Sequence, residues 1–158
     1  MIKAIALDVD GVLTDGTFWW DAGSAELKRF SFRDVMGIAR ASRQGIIFAL
    51  ISGEKNPIVD RYAAKLRITR VWQGCTEKEH ALREFAEKCG LPLDEVAFMG
   101  DDVNDLAAIG IAGFSAAPAD AHESVRSVVK LVTRHPGGNG AVREMLDFLK
   151  IGSHGSTE

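Results

Sequence analysis

Two aspartates stand close together where a run of apolar residues ends. Residues 2–7 are mostly apolar and lead directly into Asp8, and Asp10 is followed by Gly11. In an extended chain, residues i and i+2 lie on the same side, so the two carboxylates can converge on one small site. Two anions held this close favour a cation or a proton between them. The competing interpretation is a polar turn, because aspartate and glycine are common turn residues.

Three later segments carry residue types that bind phosphate or metal ions. Ser52 and Gly53 offer a hydroxyl and a backbone amide, and Lys78 offers a positive charge. A third segment, residues 100–105, contributes the carboxylates of Asp101, Asp102 and Asp105. Alone, a Ser-Gly pair often just ends a strand, and a lysine in a first helical turn is usually a solvated side chain. Together with the two early aspartates, the set indicates a site for phosphate chemistry.

Phosphoryl transfer needs each of these groups. A phosphate monoester dianion and an anionic nucleophile repel one another, so a divalent cation must screen them. Mg²⁺ prefers oxygen ligands in near-octahedral geometry, and Asp8, Asp101 and a backbone carbonyl near Asp10 can supply them. The Ser-Gly hydroxyl and amide and the Lys78 ammonium can hold the phosphoryl oxygens as charge develops on them.

The order of predicted elements can bring these segments together. The pattern predicts strands at 2–7, 46–51, 71–72, 96–99, 111–115 and 128–133. It predicts helices at 35–44, 57–66, 76–89, 106–109, 119–126 and 141–150, and residues 76–79 match a helix capping box. This alternation predicts an α/β fold with a doubly wound parallel sheet. Right-handed crossovers then place the functional loops at one edge, outside the carboxyl ends of the strands.

A β-hairpin is predicted at about residues 16–32, directly behind the first acidic loop, where a doubly wound fold should have a helix. Trp19 and Trp20 in its first strand point to opposite faces. One of them can cover the domain, but the other needs a second partner. A scattered surface aromatic is the competing interpretation, and we favour a subunit interface.

The composition is typical of one globular domain, predicted at residues 1–151 and followed by a flexible tail at 152–158. Of the 158 residues, 46% are hydrophobic and 26% are charged. The net charge of −3, with scattered Lys and Arg, predicts no nucleic-acid partner. No apolar run reaches the roughly 20 residues of a membrane span, and no signal peptide is expected. Cys75 and Cys89 lack metal-binding spacing, which predicts free thiols in a reducing, cytoplasmic compartment.

The segments resemble, in order, the four motifs of the haloacid dehalogenase superfamily, a resemblance that covers nearly the whole chain. They are Asp8–Val12, Ser52–Gly53, Lys78 and Gly100–Asp105. The chain looks most similar to a branch without a cap domain that hydrolyses 2-keto-3-deoxy sugar acid phosphates. The hairpin and the glycine-rich residues 137–144 support that branch. The resemblance implies a Mg²⁺-dependent phosphomonoesterase in lipopolysaccharide or sialic acid biosynthesis, acting through an aspartyl-phosphate.

The resemblance also implies residue roles. Asp8 is expected to be the nucleophile, and Asp10 the general acid and then the general base. Mg²⁺ is expected to bind Asp8, the main-chain carbonyl of Asp10, and Asp101. The other expected site residues are the phosphate-binding Ser52, Gly53, Lys78 and Gly11, and the supporting Asp102 and Asp105.

Substrate specificity and assembly follow from the same resemblance. Glu54 stands where enzymes acting on the eight-carbon octulosonate phosphate usually have arginine, and together with Lys65 it resembles the subgroup acting on nine-carbon acids. Both could instead be solvated helix residues. In this branch the hairpins assemble a homotetramer, and a neighbouring subunit completes each site. Arg143 or its glycine-rich loop is then expected to reach an adjacent site.

Two other classes of protein remain open from the sequence. A phospho-accepting signalling domain also uses an aspartyl-phosphate and Mg²⁺, but it places the acceptor after a middle strand and needs no second acid such as Asp10. A non-catalytic oligomerisation module of phosphatase-like fold would be favoured by loss of Asp8 or Lys78, yet both are present.

Overall fold

Strands and helices alternate along the chain in the computed structural model, which describes residues 1–151. The strands are β1 (Ala4–Leu7), β2 (Trp19–Trp20), β3 (Glu26–Leu27), β4 (Ile47–Ile51), β5 (Arg70–Trp72), β6 (Val96–Met99), β7 (Phe114–Ala117) and β8 (Leu131–Val132). The α-helices are α1 (Phe32–Arg43), α2 (Pro57–Leu66), α3 (Lys78–Cys89), α4 (Leu106–Ile111), α5 (Glu123–Arg126) and α6 (Ala141–Phe148). The predicted tail, 152–158, lies outside the described residues.

Within residues 1–151, six strands form a parallel sheet in the order β5-β4-β1-β6-β7-β8. From β1 the chain adds β4 and then β5 on one side of the sheet. It then returns to the other side of β1 and adds β6, β7 and β8. This order confirms the doubly wound fold, and no second, capping domain is present in the described part of the chain. The reversal between β1 and β6 is the topological switch point, where such sheets bind ligands.

Strand β1 is buried on both faces, which explains its unbroken apolar sequence. Ile5 and Leu7 pack into the layer formed with α1, α2 and α6. Ala4 and Ala6 face the other layer, formed with α3, α4 and α5. The small alanines let α3 approach the sheet closely. Its carboxyl end, followed by Asp8, is therefore fixed from both sides.

The hairpin behind the first loop is shorter than predicted, and we call residues 16–30 the flap. Its antiparallel pairing is confined to β2 and β3, with one further bridge between Thr14 and Phe30. Helix α1 begins at Phe32, three residues before the predicted start, because Ser31 caps it by accepting from the Arg33 amide. Both tryptophans are exposed, so neither of them covers the domain, although one of them was expected to do so.

Several other predicted boundaries were wrong for local reasons. The predicted capping box at 76–79 does not form: α3 begins at Lys78, and Glu77 makes no side-chain cap. The predicted strand at 111–115 lies at Phe114–Ala117, because the Gly113 amide bonds the Leu93 and Val96 carbonyls and ends the preceding turn. The predicted helix at 119–126, strand at 128–133 and helix at 141–150 are each shorter in the structure.

Two further findings concern the described residues as a whole. None of their helices has the length and apolar character needed to cross a membrane. Cys75 and Cys89 are free thiols, as predicted.

Candidate active site

A buried lysine lies at the centre of the site. Helix α3 starts at Lys78, whose side chain is only 1% exposed and points to the carboxyl edge of the sheet. Its Nζ lies 2.9 Å from Asp8 Oδ1 and 2.7 Å from Asp105 Oδ1. A buried ammonium needs such partners, because an unpaired charge in the interior is strongly unfavourable. Lys78 therefore joins the loop after β1 to the loop after β6.

Asp105 also shapes the loop that follows β6. Its Oδ2 accepts hydrogen bonds from the amides of Asp101 and Asp102, at 2.8 and 3.2 Å. Asp102 in turn accepts from the Val103 amide and caps the following 3₁₀ turn. Gly100 lies so close to the Asp105 side chain that a Cβ there would overlap it. The predicted supporting residues thus fix the position of Asp101.

The carboxylates of Asp8 and Asp101 share one pocket of negative charge. Burial, and then the charge of Asp105, raise the pKa of Asp8 despite the opposing effect of Lys78. Burial also raises the pKa of Asp101 to about 6, against a hydrogen bond with Asp8 that lowers it. Gly11 adopts a φ of +83° and packs against the Asp101 carboxylate, leaving no room for a side chain.

These acids fit a divalent cation. Asp8, Asp101 and Asp105 each offer a carboxylate oxygen, and those oxygens lie within 4.8 Å of one another. Asp105 is already committed to Lys78 and two amides, so Asp8 and Asp101 are the pair that could coordinate the metal. All-oxygen donors suit Mg²⁺, and burial and neighbouring carboxylates raise the pKa of both groups, so a cation bound between them would be favourable.

Mg²⁺ is expected to raise the melting temperature more at about pH 8 than at about pH 5. Burial raises the pKa of Asp101 from 3.8 to about 6, so a proton competes with the cation below that pH. In metal-free protein the folded state binds the extra proton between about pH 4 and 6, so stability falls as the pH rises through this window. Calorimetry with Mg²⁺ or with a chelator measures both effects. An equal shift at both pH values would contradict this assignment of Asp101.

Asp10 is held by a lysine that the sequence analysis missed. Lys28, directly after β3, lies 2.7 Å from Asp10 Oδ1, 3.2 Å from Glu26 Oε1 and 3.6 Å from Glu54 Oε2. Burial lowers the pKa of Lys28, but its bonds to Asp10 and Glu26 outweigh burial and raise it. The sequence carries no signal for this pairing, because a lysine beside a short strand is usually solvated.

The cleft around these groups has a volume of about 580 Å³. Gly53 and Glu54 line it, as do Cys75, Thr76 and Asn104, which the sequence analysis did not single out. Ser52, at the end of β4, is 1% exposed, and its Oγ has no hydrogen-bond partner among the described residues. An orphaned buried hydroxyl is unfavourable unless a ligand satisfies it.

Some predicted contacts are placed differently. The Gly11 amide donates to Thr14 Oγ1 at 3.2 Å, so a contact with phosphate would require that bond to break. Lys65 lies over the Phe32 ring, 5.5 Å from its centroid, and is not among the residues that line the cleft. Arg143 pairs with Asp147 at 3.0 Å and also lies outside the lining of its own chain's cleft.

The glycine-rich segment supports the first loop from behind. Gly138 donates to the Val12 carbonyl at 3.0 Å, and Gly137 packs against the Gly11 and Thr14 carbonyls. Asp34, fully buried in α1, accepts from the Arg143 amide at 2.9 Å and so caps the start of α6. Only glycine fits where two backbones approach this closely. This segment helps to hold the loop that carries Asp8 and Asp10.

Comparisons with known proteins agree with this geometry. Residues 68–146 match the model of the haloacid dehalogenase-like hydrolase family. The 3-deoxy-D-manno-octulosonate 8-phosphate phosphatase KdsC of Escherichia coli K12 is 40% identical over 150 residues, covering 95% of this chain and 80% of that protein. The phosphatase of the same name from Haemophilus influenzae is 40% identical over 148 residues, covering 94% of this chain and 82% of that protein.

Solved structures give the same result. The octulosonate 8-phosphate phosphatase from Moraxella catarrhalis, in complex with magnesium, phosphate and KDO, has a TM-score of 0.92 and 38% identity, covering 96% of this chain and 87% of that one. The cobalt-bound phosphatase from Haemophilus influenzae has a TM-score of 0.91 and 39% identity, covering 96% and 88%. With Asp8, Lys78 and Asp101 gathered at the switch point of this fold, the chain belongs to the haloacid dehalogenase-like hydrolases.

Proposed function

We propose that this protein is a Mg²⁺-dependent phosphatase that removes the terminal phosphate of a 2-keto-3-deoxy sugar acid. The observation that carries the proposal is the buried Lys78, which lies between Asp8 and Asp105 and beside Asp101. Asp8, Lys78 and Asp101 line one cleft, which supports their proposed roles as nucleophile, fixed positive charge and metal ligand. The relatives named above are phosphatases of such a substrate.

Asp8 is the nucleophile in this mechanism. One of its oxygens forms a bond to phosphorus as the bond from phosphorus to the sugar oxygen breaks, giving an aspartyl-phosphate. Lys78 fixes the carboxylate and meets the charge on the phosphoryl oxygens, while the Ser52 hydroxyl and Gly53 amide donate to the same oxygens. Asp8, Asp101 and the Asp10 carbonyl would hold Mg²⁺, which would supply positive charge that screens the nucleophile from the phosphate.

Asp10 acts as the general acid and then as the general base in this mechanism. A sugar alkoxide is a poor leaving group, so its oxygen must receive a proton as the bond to phosphorus breaks. Asp10 donates that proton and later takes one from the water that attacks phosphorus in the aspartyl-phosphate. Its carboxyl group is 37% exposed on the cleft side, where a substrate can reach it. The buried Asp8 cannot serve both purposes, because it holds the phosphoryl group at that moment.

The relatives favour 3-deoxy-octulosonate 8-phosphate as the substrate, and a nonulosonate 9-phosphate is the alternative. Glu54 lines the cleft, as the nine-carbon hypothesis requires. Lys65 does not line it, so within one chain it cannot bind the substrate carboxylate beside Glu54. This favours the eight-carbon acid unless Lys65 acts on a neighbouring subunit.

A phosphate-release screen tests the proposal. It compares the eight-carbon and nine-carbon keto-deoxy acid phosphates with simple hexose phosphates, with Mg²⁺ present or chelated. We expect Mg²⁺-dependent release, fastest for the eight-carbon acid. A preference for hexose phosphates would overturn the substrate class while leaving the phosphatase assignment, and release that survives chelation would overturn the metal requirement.

We also propose a homotetramer assembled through the flap, in which a neighbouring subunit completes each site. The flap presents Phe18, Trp19 and Trp20 with exposures of 51%, 72% and 70%. Large apolar groups grouped in this way favour association. Sedimentation velocity tests the assembly, and a monomer at micromolar concentration would contradict it. The free thiols of Cys75 and Cys89 support the cytoplasmic location predicted from the sequence.

A further inference from the structure

The side chain of Lys28 is almost fully covered although the residue belongs to the flap. The side chain is 3% exposed, while the residue as a whole is partly exposed. Three carboxylates surround its ammonium group, those of Asp10, Glu26 and Glu54. They come from three separate parts of the chain: the loop after β1, the flap and the loop after β4. Lys28 therefore ties the flap to the catalytic loop.

Two glutamates, Glu26 and Glu54, also hold the lysine. Glu26 also accepts a hydrogen bond of 2.8 Å from Asn56 Nδ2, and Asn56 is the N-cap of α2. The flap end is thus anchored to a rigid helix terminus rather than to solvent-exposed loops. Glu54, 71% exposed, lies 3.6 Å from Lys28 and adds a weaker attraction. Lys28 consequently presents its ammonium group to Asp10 from a fixed position.

We propose that Lys28 is a positioning residue that orients the Asp10 carboxyl group toward the leaving oxygen of the substrate. The proposal rests on the function proposed above, because it assigns Lys28 a part in proton delivery by Asp10. The contact of 2.7 Å holds Oδ1 of Asp10, whose side chain lines the cleft and is 37% exposed. Orientation matters because a misplaced acid loses most of its contribution even when it remains present.

Leaving-group dependence separates this role from a structural one. A sugar alkoxide needs the proton from Asp10, whereas p-nitrophenolate leaves without one. For Lys28→Met, which keeps the length and removes the charge, we expect kcat/KM on octulosonate 8-phosphate to fall about 10- to 100-fold. The fall in kcat/KM on p-nitrophenyl phosphate should stay below about threefold. This ratio is the right measure because it covers only the steps up to release of the leaving group, and so excludes the hydrolysis of the aspartyl-phosphate that uses Asp10 with both substrates. Lys28→Arg, which keeps the charge, should recover part of the loss.

A double-mutant cycle with Asp10→Asn identifies the residue through which Lys28 acts. The double variant should be no slower than Asp10→Asn alone, because removing the acid removes what Lys28 orients. Lys3→Met, which removes a lysine paired with Glu95 far from the cleft, is the matched control and should match the wild type. If Lys28→Met is poorly folded by circular dichroism, Lys28→Gln replaces it.

Two results would overturn the proposal: equal losses of kcat/KM on both substrates, or losses of kcat/KM that add in the double variant. Failure of the proposed function gives a different result. If the proposed function fails, the wild type turns over p-nitrophenyl phosphate and some alkyl phosphate, but not the sugar acid phosphates. The comparison is then made on that alkyl phosphate, where the same two results decide whether Lys28 orients Asp10.

Discussion

Asp8→Asn is expected to lower kcat by about 10⁴-fold or more, because an amide oxygen cannot form the bond to phosphorus. The change is nearly isosteric, so the loss cannot come from altered packing. Phosphate release in Mg²⁺ buffer measures it. Asp94→Asn, an exposed aspartate in the turn before β6, is the matched control and should keep wild-type activity. Turnover that survives Asp8→Asn would show that another group attacks phosphorus.

The same variant should fold at least as stably as the wild type in metal-free buffer. Burial and the charge of Asp105 raise the pKa of Asp8, so above its unfolded value of 3.8 the ionised group opposes folding. Removing that charge removes this destabilisation of the folded state at neutral pH. Thermal unfolding with a chelator present measures this, and a large fall in melting temperature would mean that Asp8 stabilises the fold through Lys78.

Lys78→Met is expected to abolish activity and to destabilise the fold by about 3–5 kcal/mol, as when one partner of a buried ion pair is removed. Asp8 and Asp105 would then be buried without their shared cation. Urea unfolding in metal-free buffer measures the loss. Lys88→Met, on the exposed side of the same helix and paired with Glu84, should cost less than about 1 kcal/mol.

A second substitution tests the origin of that loss. Adding Asp105→Asn to Lys78→Met removes one of the two stranded carboxylates and should recover part of the stability but no activity. The recovery should be larger at neutral pH than at acidic pH, because protonation relieves Asp8 in the single variant as well. If the double variant is less stable than Lys78→Met alone, then charge is not the reason for the destabilisation.

The sheet and its acidic edge could be predicted because their signals are local. Residues 2–7 are apolar apart from Lys3, and residues 96–99 form a continuous apolar run; both patterns are typical of a strand buried on both faces. Each run ends in carboxylates, so the position of the site followed from the position of the strands. The family resemblance, confirmed by the comparisons, depended on the same residues.

Where a predicted element boundary was wrong, the actual boundary is set by contacts between residues that are far apart in the sequence. Helix α3 begins at Lys78 because the Gly74 and Cys75 amides bond the Glu54 and Ser52 carbonyls and draw residues 74–76 toward the cleft. The capping-box pattern at 76–79 contains no sign of this. The hairpin pattern likewise predicted pairing, but not that both tryptophans would stay exposed in one chain.

Partners within the site were the least predictable part. Lys28 pairs with Asp10 across 18 positions, and Lys78 pairs with Asp105 across 27. A lysine in a flap or in a first helical turn is usually solvated, and nothing in its neighbours along the chain shows otherwise. Lys65 is a related case: the family resemblance suggested that it shares a site with Glu54, whereas in one chain it packs over Phe32 and is not among the residues that line the cleft.

Trapping of the phosphoenzyme tests the central claim most directly. Asp10→Asn should slow hydrolysis of the intermediate. With ³²P-labelled p-nitrophenyl phosphate, whose leaving group needs no proton from Asp10, the intermediate still forms, so enzyme quenched in acid should carry label. Peptide mapping is predicted to place that label on Asp8, and Asp8→Asn should carry none. Label on any other residue, or label that persists in Asp8→Asn, would contradict the account.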